Sequence, residues 1–331
     1  MMESVGELKT QGLMQKGNLL DITGENNKEN NKENNKKGKQ QEQARKQDLR
    51  KGEMNMETTM RRKHKVFDRP LLGMFVAMIV TLFMVQIGAG FALTGLKLAA
   101  GEHFTMLHKS LAMIIAAAVF MSLYKFWFRG EMNDYFTFQG TRKGLLMAAF
   151  ITVFLVENLW SFVKPGAAIG NPMVALIMGM APGIAEEVIF RLIPISIAMR
   201  GKDREKMIKI SIIVTSLLFG LAHALNFSDG AALSSTAIQV VYTFGLGILF
   251  SAIYLRTGNI WVTMILHTIL DTTAFLAPSL QASGGLMTAS TSTLDLVIMT
   301  VQTIVMIGWA LYLVRKEKRQ EIMDRWEAIW G

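Results

Sequence analysis

Glu186 and Glu187 stand side by side, with Arg191 shortly after them, inside the apolar run Met173 to Met199. Such a group is costly to build into hydrocarbon, since a single charge near the centre of a bilayer costs roughly 2.5–3.5 kcal/mol on insertion scales. On a helix, Glu187 and Arg191 lie four residues apart on one face and can pair. Glu186 points about 100° away, towards a different neighbour. One carboxylate is then held ionised by the guanidinium. The other stays free and poorly solvated, which suits proton transfer.

Two further polar sites lie in apolar segments. His223 ends Phe219-Gly220-Leu221-Ala222-His223, and Asn226 three residues on is placed to orient its imidazole. His267 and Asp271 are spaced four apart in His267-Thr268-Ile269-Leu270-Asp271, so Asp271 can hold one ring nitrogen and leave the other aimed inward. Together these residues suit general acid–base hydrolysis. Glu186 or Glu187 takes a proton from a water, the water attacks a peptide carbonyl, and His223 or His267 donates to the oxyanion. The chain has no cysteine, no Gly-x-Ser-x-Gly elbow and no His-Glu-x-x-His helix. A zinc-type divalent ion held by His223, His267 and one Glu is also chemically reasonable. Sequence does not separate a metal-bound water from a Glu-activated one. The structural reading of the same residues is an ion pair that pins helices together, with His223 as a satisfied core residue. Glu157, His103 and His108 read as interfacial or structural groups.

The elements that must position these groups are membrane helices. Hydrophobic residues make up 51% of 331, in runs far longer than a soluble core needs. About eight spans are expected: 71–93, 110–128, 144–163, 173–199, 207–225, 236–255, 260–277 and 294–314. Every other loop is rich in Lys and Arg, as in Arg200-Gly201-Lys202-Asp203-Arg204. That alternation predicts an integral protein of a bacterial-type plasma membrane with both termini cytoplasmic. The net charge of +9 therefore reads as topology signal and lipid contact rather than nucleic-acid binding. The 24 methionines read as packing filler. Residues 1–65 repeat Glu-Asn-Asn-Lys and have little to bury, so a disordered polar tail is expected, with no cleaved signal peptide. The fold class is all-α, a polytopic membrane helical bundle with that tail attached.

The ordered trio Glu186-Glu187-x-x-x-Arg191, Phe219-x-x-x-His223 and His267-x-x-x-Asp271, on separate spans, resembles the CAAX prenyl protease-like family, also called CPBP or Abi. The resemblance covers about residues 144–277. It implies an intramembrane endopeptidase with its site in a bundle cavity. By the same resemblance, Glu186 looks like the water-activating base, Glu187 its paired carboxylate and Arg191 the structural partner. His223 and His267 look like oxyanion or metal contacts, and Asp271 stands where the family has Asn or Asp. The implied substrate is a hydrophobic, lipidated or short membrane-associated peptide or protein.

The expected partition is a tail at 1–65, two helices at 66–143, the catalytic core at 144–277, and a last helix and cytoplasmic tail at 278–331. Two other readings use the same residues: a bacteriocin-immunity or regulatory protein that binds a hydrophobic peptide without cleaving it, and a proton-coupled transporter. The transporter reading lacks a Pro/Gly-broken counterpart span in the first half of the chain.

Overall fold

The computed structural model describes residues 38–49, 69–103, 105–128, 138, 140–160, 162–163 and 167–330. Most of the expected N-terminal tail lies outside these residues. Within it, residues 38–49 form helix α1, rich in good helix formers and exposed throughout, with a Glu42–Lys46 ion pair at 2.6 Å. This helix belongs to a unit separate from the rest of the chain.

In the second unit, all regular structure among the described residues is helical. The long helices are α2 (Pro70–Ala100), α3 (Met106–Trp127), α8 (Arg204–Ala222), α10 (Leu233–Thr257) and α13 (Thr293–Leu313). The central span is composite: α6 (Pro172–Glu187), a π-helical turn (Val188–Leu192) and α7 (Ile193–Ala198). Helix α11 (Ile260–Phe275) packs along α6, and α10 packs against α8 and α13. Among the described residues six segments are long and apolar enough to cross a membrane, or seven if a bent pair counts as one span. The protein is an integral membrane protein.

Sequence signals fix several helix starts. Asn171 caps α6, accepting from Met173 N–H and Val174 N–H, with Pro172 at the first helical position. Asn259 caps α11 by accepting from Trp261 N–H. Ser292 caps α13 by accepting from Asp295 N–H.

Two spans differ from the expectation. The third, expected unbroken over 144–163, is split into α4 (Thr141–Met147) and α5 (Ile151–Trp160), bent by 69°. Tight i to i+3 bonds carry the chain through residues 148–150. The Met147 carbonyl at the break accepts from the Trp309 indole N–H at 2.6 Å, and Phe150 packs on the Trp309 ring. A donor from α13 thus offsets what the break leaves unpaired. The seventh span, α11, has 16 residues and is about 24 Å long, short of the ~30 Å hydrocarbon core.

The chain ends in α14 (Lys316–Trp330), which folds back on the bundle rather than trailing as a tail. Ile322, Trp326 and Ile329 are buried. Trp326 N–H donates to Leu255 O at 3.0 Å and Trp330 N–H to Ser196 O at 2.9 Å. Ion pairs Arg256–Glu321 (2.8 Å), Arg319–Glu205 (3.1 Å) and Arg204–Glu327 (3.8 Å) bring three basic segments to one end of the bundle.

Candidate active site

The site rests on the approach of α6 to α11. A Cβ on Gly179 would stand 2.6 Å from Thr272 N, and one on Gly183 would stand 2.8 Å from Thr268 N. Only glycine allows the two backbones this close, the small-xxx-small logic of membrane helix packing. One turn beyond Gly183, the Glu pair is carried against His267.

Just after Glu187 the helix widens into the π turn, with Ile193 N–H donating to Val188 O. Pro194 accounts for its position. It cannot donate to Phe190 O and its ring would crowd that carbonyl, so the wider turn relieves the clash. Earlier in α6, Pro182 leaves the Met178 carbonyl without its helical donor.

Glu187 and Arg191 are both fully buried, with Oε1 3.0 Å from NH1, so the pair expected from their spacing is present. The same oxygen lies 2.9 Å from His267 Nδ1. A carboxylate accepts, so Nδ1 carries the hydrogen. None of the Arg191 nitrogens makes a well-directed hydrogen bond. Its guanidinium instead stacks 4.0 Å over the Phe219 ring, with Phe250 at 5.8 Å. The cation is thus held by one carboxylate and by π faces.

His267 Nε2 faces two more carboxylates, Glu186 Oε2 at 3.7 Å and Asp271 Oδ2 at 3.5 Å. Asp271 was expected to orient the ring by hydrogen bond; Glu187 does so instead, and Asp271 stands slightly beyond hydrogen-bond length. A bare lone pair on Nε2 would face two anionic groups, so at least one proton belongs to this gap, on Nε2 or on a carboxyl. Glu186 and Asp271 keep 23% and 30% of their side chains exposed while Glu187 keeps none, so the free carboxylates are these two.

His223 shares the Phe219 ring with His267. Its ring packs edge-on to Phe219 at 5.0 Å, and His267 packs on the same ring at 6.0 Å. Its Nδ1–H donates to Phe219 O at 2.9 Å, which leaves Nε2 as the outward nitrogen. Asn226 does not orient this imidazole: its side-chain amide donates to Gln239 Oε1 at 2.9 Å. A neutral His223 therefore presents an acceptor at Nε2, and a donor only when protonated. The aromatic hub was missed in sequence reading. Phe219 carried a signal, standing four residues before His223, but Phe250 lies in an apolar run with nothing to mark it.

A zinc-type ion does not fit this arrangement. Among the described residues no three His, Asp or Glu side chains are grouped to hold one. His267 Nδ1 is taken by Glu187 and His223 Nδ1 by the Phe219 carbonyl, which leaves each ring only its Nε2. The outlying polar groups have local partners. Thr105 N–H donates to His108 Nδ1 at 3.0 Å, and Glu157 accepts from the Gln302 side chain.

No curated protein and no solved structure matches the chain. The family model described as "Type II CAAX prenyl endopeptidase Rce1-like" matches residues 168–273, about a third of the chain, from the start of α6 to the end of α11. That match supports a CAAX-protease-like intramembrane endopeptidase in general terms. The segment that holds Glu186, Glu187, Arg191, His223, His267 and Asp271 is thus Rce1-like.

Proposed function

We propose that the protein is an intramembrane endopeptidase in which Glu186 activates the attacking water. The observation that carries this reading is the division of labour between adjacent carboxylates. Glu187 is fully buried and committed to Arg191 and His267, whereas Glu186 is partly exposed beside His267 Nε2.

In the proposed reaction Glu186 takes a proton from a water, and the hydroxide attacks the scissile carbonyl carbon. The gap proton between His267 Nε2 and Asp271 faces the developing oxyanion, and the imidazole donates to it. Collapse of the tetrahedral intermediate breaks the C–N bond. Glu186 returns its proton to the leaving amine. Glu187 and Arg191 hold His267 in register, and Glu187 fixes the tautomer by accepting from Nδ1–H. His223, with Nε2 turned outward, supports the water or the oxyanion according to its protonation.

Rce1-like proteases act on membrane-associated prenylated peptides. For this chain we infer a hydrophobic, lipidated or short membrane-associated peptide. We also infer a catalytic core at 144–277 and a cytoplasmic position for the basic end of the bundle.

The test is cleavage of internally quenched lipopeptides and short hydrophobic peptides by detergent-purified protein. Wild type is run beside Glu186→Ala and His223→Ala, each with and without a chelator. The expected result is cleavage by wild type that survives chelation and is lost in both variants. Loss with chelator would replace the Glu-activated water with a metal-bound one. Normal cleavage by both variants would overturn the proposal.

A further inference from the structure

A groove of about 400 Å³ opens where α2 and α8 begin, lined by none of the Glu and His cluster. Its floor is apolar: Pro70, Leu71 and Leu72 on α2, Met207 and Ile210 on α8. Its rim is polar: Arg69, Lys206 and one carboxylate, Asp203. Leu71 and Leu72 are 44% and 47% exposed, at the first turn of a helix long enough to cross a membrane.

We propose that this groove binds the phosphate headgroup of an anionic phospholipid, with one acyl chain lying along Leu71, Leu72 and Ile210. Charge complementarity carries the assignment. Among the described residues neither Arg69 nor Lys206 has an ion-pair partner, whereas Arg204, Arg256 and Arg319 at the same end of the bundle do. An anion there meets a net positive rim even after Asp203 is counted. The helix starts add to this: Arg69 and Asp203 occupy the N-cap positions of α2 and α8, and neither gives a side-chain cap. First-turn amides at both helices are therefore left without a side-chain acceptor.

The geometry also separates a lipid from other occupants. The apolar floor runs into the membrane-spanning part of both helices, as an acyl chain attached to the phosphate requires. A free phosphate would leave that floor uncovered.

The test uses full-length protein in phosphatidylcholine nanodiscs doped with phosphatidylglycerol, with lipids retained after detergent extraction counted by native mass spectrometry. Wild type should retain phosphatidylglycerol over phosphatidylcholine. The double variant Arg69→Gln/Lys206→Gln should retain at least fivefold less, while Lys202→Gln/Lys209→Gln, which changes nearby cations outside the groove, should match wild type. Equal loss in both double variants would show a diffuse basic surface and overturn the site. Equal retention of the two lipids would do the same. Competition by soluble glycerol phosphate as strong as by phosphatidylglycerol would reassign the groove to a free phosphate. An unchanged melting temperature in pure phosphatidylcholine shows that the variants are folded.

Discussion

Glu187 Oε1 lies 2.9 Å from His267 Nδ1 and 3.0 Å from Arg191 NH1, so one buried oxygen joins α6, the π turn and α11. Glu187 is thus an architectural carboxylate, set beside a chemically free one at Glu186.

Glu187→Gln and Glu186→Gln should therefore behave differently. The first leaves Arg191 a buried cation with no counter-charge, at a cost of about 3–5 kcal/mol. The second removes a partly exposed carboxylate with no ion-pair partner among the described residues except His267. Thermal unfolding in detergent should show a large loss for Glu187→Gln and little for Glu186→Gln. Peptide cleavage should vanish in both. Equal stability losses would remove the distinction between the two carboxylates.

Gly183→Ala should damage the site without replacing any of its charged side chains. The added Cβ falls 2.8 Å from Thr268 N, which cannot move aside as a side chain can. Overpacking of this kind costs about 1–3 kcal/mol. It also pushes α11 away, widening the 3.7 Å gap between Glu186 and His267. Gly90→Ala, where a Cβ meets open space, should be neutral or slightly stabilising because alanine favours helix. Cleavage rates and melting temperatures of the two variants settle the comparison; comparable rates would show that the close approach is not required.

The charged trio was legible because ionisable residues in an apolar run are rare enough to stand out, and because i, i+4 spacing says which of them can meet. The orienting role of Glu187 on His267 was not legible, since it joins residues 80 apart in sequence. The break in the third span has no proline or glycine to announce it. Ala148-Ala149-Phe150 is ordinary helix sequence, and the compensating donor, Trp309, comes from α13. The π turn had a marker in Pro194, but proline alone does not distinguish a kink from a widened turn. Helix α14 had a clearer one: Ile322, Trp326 and Ile329 recur at helical spacing in a charged segment.

Arg191→Lys should not be a conservative change. The guanidinium carbon lies 4.0 Å over the Phe219 ring centre while NH1 reaches Glu187. A lysine can keep the charge but not the planar stack. Loss of the stacking contribution should lower stability by about 1–2 kcal/mol and loosen the ring that both histidines touch. The measurement is unfolding together with cleavage. A lysine variant with wild-type stability and rate would show that charge alone suffices.

The C-terminal helix should be a required clamp, with its own pH signature. Trp326 is fully buried and donates to Leu255 O, so Trp326→Ala should cost about 3–5 kcal/mol, measured by unfolding. At the surface of the same helix, hydrogen bonds from Lys318 and Arg256 lower the Glu321 pKa from the ordinary 4.5 to about 2. A carboxylate depressed in the folded state stabilises it above the unfolded value and loses that contribution as pH falls through the folded one. The melting-temperature difference between wild type and Glu321→Gln should be small, because the pairs are exposed. It should stay constant from about pH 7 to 5 and shrink between about pH 4.5 and 2. A difference that grows on acidification would show that Glu321 is a repelled carboxylate and that α14 is held by its tryptophans alone.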